Sequence, residues 1–114
     1  MSYDISIGPF KANYTSNVAA LFYDHLPAER SRGGLHELHG LTGRQAVAVL
    51  ADAFDHIADT KLSLWHRDTV GEPEFCAKYD APNGWGSTVG GLIFLAQILA
   101  ACATHPRSRI MVCA

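Results

Sequence analysis

Two histidines stand three residues apart in the run His36-Glu37-Leu38-His39. On a helical turn they share a face, and two imidazoles can begin a metal site, which needs three or four converging ligands. No sequence neighbour supplies the rest, and the spacing is not the four-residue separation of a zinc-binding HExxH helix. The bland alternative is a polar loop that sends Leu35 and Leu38 to the core. A second group comprises Asp52, Asp55, His56 and Asp59. Asp52 and His56 are four apart, as are Asp55 and Asp59, so each pair can meet on one helix face. Paired carboxylates hold Mg2+ against phosphate substrates or do acid–base work. A solvated helix face looks the same in sequence. A metal-dependent hydrolase would require His36 and His39 to close with these carboxylates around one ion.

Nucleophile chemistry is less well signposted. Cys76 could pair with any of the six histidines, and no spacing selects one. Ser87 follows Gly86, but Gly84-Trp85-Gly86-Ser87 lacks the GxSxG order of a nucleophile elbow. There is neither a GxxxxGK[ST] loop nor a strand–GxGxxG–helix unit. We therefore assign no catalytic residue, no metal ligand and no cofactor from sequence.

The segment Asn83-Gly84-Trp85-Gly86-Ser87-Thr88 is the strongest binding candidate, because it opens the apolar run Val89 to Ala103. Glycines let the backbone turn and expose N–H groups, and a helix N-terminus attracts anions. Trp85 could stack on a base or anchor a partner. Large aromatics more often serve burial, so the expectation for Trp85 is a lid on the core above an Asn83-Gly84 turn. Asn13, Tyr14 and Asn17 carry the same two readings. They either staple their own loop to the backbone or line a groove beside Trp85. The candidate ligand- or partner-binding set is thus Asn13, Tyr14, Asn17, Asn83, Trp85, Ser87 and Thr88.

These residues must be placed by few elements. Tyr3, Ile5 and Ile7 alternate with Asp4 and Ser6, which predicts a strand ended by Gly8-Pro9. Lys11 to Asn17 reads as polar and locally bonded. Thr15 or Ser16 can cap a short helix over about 17–25, with Val18, Leu21 and Phe22 on one face and Pro27 as its stop. Ala28 to Gly40 reads as a loop with a turn of helix at 35–39. Thr42 and Gln45 form a capping box for a helix over about 43–65. Its apolar stripe is Val47, Leu50, Phe54 and Ile57, extended by Leu62 or Trp65. Residues 66–83 read as a long connection with a short extended piece at 75–79. Ser87 or Thr88 caps a last helix ending before Pro106, and Ile110 and Val112 predict a C-terminal strand. The expected fold is α+β: a small antiparallel sheet of the terminal strands packed against two long helices and one short one.

Composition bounds the rest. The 114 residues suit one small domain spanning 1–114, and 48% hydrophobic residues support a packed core. The net charge of −2 falls in the first half of the chain and fits neither a basic nucleic-acid footprint nor an acidic DNA mimic. Arg107 and Arg109 are too few for a nucleic-acid groove, so no nucleic acid is expected as a partner. Cys76, Cys102 and Cys113 have no CxxC spacing, and Cys102 reads as a small buried hydrophobe. The start Met-Ser-Tyr-Asp-Ile-Ser lacks a signal-peptide pattern, and the run from Gly90 to Ala103 is too short to span a bilayer. No membrane partner is expected, and the expected location is a reducing bacterial cytoplasm.

Four pieces of the chain, taken in order, resemble a group of small proteins encoded by bacteriophages and prophages. They are Asn13-Tyr14-Thr15-Ser16-Asn17-Val18, Leu38-His39-Gly40-Leu41-Thr42-Gly43, Asn83-Gly84-Trp85-Gly86, and Ile98 to Cys102 with His105-Pro106. Ala28 to Gly34 stands outside that pattern. The resemblance implies a phage-encoded accessory protein in the bacterial host cell and implies no reaction. The leading expectation is non-enzymatic binding to a host or anti-phage defence protein, of which an anti-CRISPR would be one version. A homodimer through part of the last helix is compatible with its excess of apolar residues. The alternative is a protein that sequesters a small molecule or nucleotide at the Asn83–Thr88 helix start. The hydrolase on His36, His39 and the Asp52–Asp59 carboxylates comes third.

Overall fold

A computed structural model describes residues 2–68 and 71–113, with side chains described at 2–59 and 75–113. The chain begins with strands β1 (Ser2–Ile7) and β2 (Phe10–Thr15), joined by the Gly8-Pro9 turn. A 3-10 turn (Ser16–Val18) leads into α1 (Ala19–His25), and a second 3-10 turn spans Gly34–Leu38. Then follow α2 (Gly43–Asp68), α3 (Gly71–Tyr79), α4 (Thr88–Thr104) and β3 (Met111–Cys113). The sheet is antiparallel with order β2-β1-β3, so the terminal strands pair as expected, with Ile5 opposite Val112. The fold is α+β.

Local signals account for most of the boundaries. Thr15 accepts the Asn17 N–H and caps the first turn. Thr42 and Gln45 form the reciprocal box: Thr42 N–H donates to Gln45 Oε1 at 3.0 Å, and Gln45 N–H donates to Thr42 Oγ1 at 3.3 Å. Ser87 Oγ accepts the Gly90 N–H at 2.9 Å and starts α4. The core lies between the sheet and the helices. Ile5 and Ile7 of β1, Leu21 and Phe22 of α1, Leu35 and Leu38, Leu50 of α2, Phe75 of α3, and Leu95 and Ile98 of α4 are all fully buried. Cys102 is buried among them, and burial pushes its thiol up to about 11, as befits an inert small hydrophobe.

Two expectations are corrected. Residues 10–15 form a strand in register with β1, Tyr3 facing Tyr14 and Ile5 facing Ala12. Phe10, Ala12 and Tyr14 alternate with Lys11 and Asn13, and the half-apolar face is covered by α4. The connection over 66–83 is largely helical: α2 runs to Asp68 and α3 occupies Gly71–Tyr79. The piece at 75–79 is helical because Phe75 and Tyr79, four apart, both reach the core. Leu62 and Trp65 lie outside the described side chains.

Candidate functional site

The loop before α4 holds its backbone firmly and its tryptophan ring outward. Trp85 N–H donates to Asn83 Oδ1 at 2.9 Å, and Trp85 C=O accepts from Asn17 Nδ2 at 2.9 Å. The next turn is clamped by Tyr14, whose hydroxyl accepts the Ser87 N–H at 3.0 Å and donates to the Ser87 carbonyl at 3.2 Å. Tyr14 is itself fixed by stacking on Phe94, with centroids 5.6 Å apart. Gly86 is required here. Its φ is +124°, and a Cβ would lie 2.6 Å from Thr15 Cγ2. Yet the Trp85 side chain is 74% exposed. The expectation of a core lid therefore fails. The hydrogen bonds that hold this loop are made by its backbone, and among the described residues the indole stays uncovered.

Tyr14, Asn17, Asn83, Trp85 and Ser87 thus come together, while two members of the candidate set sit elsewhere. Asn13 projects from the exposed side of β2 and donates to Asp4 Oδ1 at 2.8 Å and Ser2 Oγ at 3.1 Å across the strand pair. Thr88 is fully buried: its N–H and hydroxyl both donate to Asp80 Oδ1, at 2.7 and 2.8 Å. These two bonds hold the Asp80 carboxyl below its ordinary range. The start of α4 consequently has its own anion. Asp80 and Ser87 take the Thr88 and Gly90 N–H groups that a phosphate would use. What remains is a shallow groove of about 350 Å3 lined by Tyr14, Thr15, Gly84, Trp85, Gly86 and Ser87.

The apolar character continues along α4. The helix has no charged side chain from Thr88 to Thr104. Gly91, Phe94, Leu95, Ile98, Ala101 and Cys102 face the core. The opposite face shows Val89 at 54% and Ile93 at 53% exposure, followed by exposed Ala96, Gln97 and Ala100. A helix apolar on both sides has only one of them covered here.

His36 and His39 do not meet the Asp52–Asp59 group. His36 packs edge-on to Tyr3, and His39 Nδ1 accepts the Val112 N–H at 3.0 Å, closing a donor on β3. Glu37, between them, is buried and is the organiser of the loop. Oε1 accepts the N–H groups of Glu29 and Arg30, and Oε2 those of Ser31 and Gly33. Burial pushes this carboxyl up, but the four N–H groups outweigh it and hold it below the usual range.

A second site was not anticipated from sequence. His25, at the end of α1 and only 4% exposed, places Nδ1 2.7 Å from Nδ1 of His56 on α2. Its Nε2 faces the Tyr79 hydroxyl at 3.5 Å, and that hydroxyl donates to Asp24 Oδ2 at 2.7 Å. Lys78 pairs with the same Asp24 oxygen at 3.4 Å. Burial, then the neighbouring His56, pushes His25 down to about 4, so it is neutral at ordinary pH. The Tyr79 bond is the main cause holding Asp24 low, and burial raises Tyr79. The pair lines a pocket of about 410 Å3, with Val49, Ala53, Leu26 and Pro27 as apolar wall and Asp52 and Glu29 among its polar residues. His25 and His56 are 31 residues apart, a separation that carries no local signal.

Comparison with protein-family models, curated proteins and solved structures gives no match for this chain. Among the described residues no helix is long and apolar enough to cross a membrane.

Proposed function

We propose that this chain is a binding protein that docks a partner protein on the exposed face of α4, with Trp85 as anchor. The observation that carries the reading is the clamped but exposed Trp85 ahead of Val89 and Ile93 on an uncharged helix. Binding energy at protein interfaces concentrates in a few aromatic anchors surrounded by apolar contacts that exclude water. An anchor on a fixed backbone loses less conformational freedom on binding than one on a free loop. The phage-like motifs support a host or anti-phage defence protein as the partner, and an anti-defence inhibitor acting by occlusion in the host cytoplasm is the specific form proposed. The groove beside Trp85 supports the sequestering alternative less well, because Asp80 and Ser87 already fill the helix start.

The test is paired capture from host lysate with wild-type protein and with Ile93→Arg. Ile93 is half exposed, so the variant should fold, as circular dichroism will show. A partner retained by wild type and lost by Ile93→Arg supports the reading. A partner retained equally by both, or none at all, rejects this face as the docking surface.

A further inference from the structure

We propose that the partner docked on α4 contributes an extended strand to the free edge of β2, so that its backbone joins the sheet and its side chains run beneath the exposed face of the helix. This mode of recognition rests on α4 being the docking face.

The strand register decides which way β2 turns its backbone. In an antiparallel sheet a residue sends its N–H and C=O to the same side, and successive residues alternate. Val112 N–H points away from β1, to His39 Nδ1. The Ile5–Val112 pair is therefore the non-hydrogen-bonded kind, and Ile5 turns its backbone to Ala12 of β2. By alternation Tyr14 bonds Tyr3, and Phe10 bonds Ile7 at the hairpin. Lys11 and Asn13 consequently aim their N–H and C=O groups outward, at the open side of β2. Among the described residues nothing bonds those groups. The other edge of the sheet is closed, since Val112 bonds His39 and Ile110 bonds Gly40 and Leu41. Unpaired groups along an edge strand are a template for a further strand.

Helix α4 roofs this edge. At one end Tyr14 stacks on Phe94 beside the Trp85 groove. At the other, Phe10 shares a groove of about 340 Å3 with Gln97, Ala100 and Thr104. Ile93, Gln97, Ala100 and Thr104 are all exposed and recur at helical spacing, so they form one row between the two grooves. A strand laid against β2 sends alternate side chains up to this uncharged row and the others down beside Lys11 and Asn13. The occupant is thus an extended segment of the partner in which apolar residues alternate with polar ones. One of the polar residues is a carboxylate set against Lys11, which has no ion pair among the described residues. A second copy of this chain fits less well, because Phe10–Thr15 holds no acidic residue and self-pairing leaves Lys11 unmatched.

Capture from host lysate with the full chain as wild type, Ile93→Arg, Asn13→Ala and Asn13→Pro tests the edge, with circular dichroism as the check on folding. Proline removes the outward N–H at position 13 and is tolerated on an edge strand, whereas alanine removes only the side chain. The expected result is a partner kept by wild type and Asn13→Ala, reduced at least about tenfold by Asn13→Pro, and lost by Ile93→Arg. Hydrogen exchange reads the same edge without a substitution. The Lys11 and Asn13 amides should exchange freely in the chain alone, the Ala12 and Tyr14 amides slowly, and the first two should become protected in the captured complex. A partner lost by Ile93→Arg but kept by Asn13→Pro, or lost equally by Asn13→Ala, overturns strand addition and leaves docking on α4 standing. So does a complex that adds no protection at Lys11 and Asn13. A partner kept by Ile93→Arg, or none at all, rejects the docking face and the added strand with it. A concentration-dependent dimer of the purified chain that Asn13→Pro abolishes makes the occupant a second copy and overturns the partner strand.

Discussion

Replacing Glu37 by glutamine should unfold this protein more readily than any surface change. The carboxylate accepts four backbone N–H groups, from Glu29 at 2.8 Å, Arg30 at 2.7 Å, Ser31 at 2.7 Å and Gly33 at 3.1 Å. Glutamine keeps the size and one oxygen, but turns an NH2 group towards two of those donors. A fully buried N–H without an acceptor costs about 1–3 kcal/mol; the Gly33 bond is buried and the other three are part-buried, so two donors left without an acceptor should cost about 3 kcal/mol together. Urea denaturation reads this as a lower midpoint with an unchanged slope. The sign with pH follows from the lowered folded-state pKa. The carboxylate's stabilisation is present above the unfolded carboxyl range and is lost as pH falls through the folded value. The gap between wild type and Glu37→Gln should therefore close in acid. A loss under about 0.5 kcal/mol, or a gap indifferent to pH, would refute the assignment of Glu37 as organiser of residues 28–34.

Three further outcomes are expected. Trp85→Ala should change stability by less than about 0.5 kcal/mol, where a core tryptophan would cost about 3–5 kcal/mol; thermal unfolding separates the two. Because His25 is pushed from 6.5 down to about 4, its neutral-state contribution is full above pH 6.5 and falls as pH drops towards about 4. Urea midpoints between about pH 7 and pH 5 should decline more steeply in wild type than in His25→Gln. Gly43→Ala should destabilise more than Gly90→Ala. At Gly43 a Cβ meets the backbone carbonyl oxygens of Cys102 and His105, which can withdraw only with their helix end, whereas at Gly90 it meets the Tyr14 hydroxyl, whose displacement costs the two bonds to Ser87 but leaves the backbone in place. Melting temperatures of the two variants decide the order.

Much of the fold is written locally. The capping pair Thr42 and Gln45, the Ser87 cap and the alternation of Tyr3, Ile5 and Ile7 each depend on residues a few positions apart. Strand β2 was less legible because Ala12 is a weak apolar signal and Asn13, Thr15 and Ser16 equally suit a loop. Helix α3 was hidden by Gly71 and Pro73, which read as breakers, while its evidence, Phe75 and Tyr79, amounts to a single turn. The Asn83–Ser87 loop was legible as special, but not whether Trp85 pointed in or out. That depends on Asn17 and Tyr14, which bind its backbone from 68 and 73 residues away. The same holds for His25, His56 and Tyr79, which only the packing of α1, α2 and α3 brings together.

Site-specific photocrosslinking tests the docking face most directly. A photoreactive amino acid placed at Ile93, on the exposed side of α4, should trap a partner protein in host cells. The same group at Asp55, on the exposed side of α2, should trap none. Crosslinks from position 55 and not from 93 would contradict the account and move the binding surface away from α4.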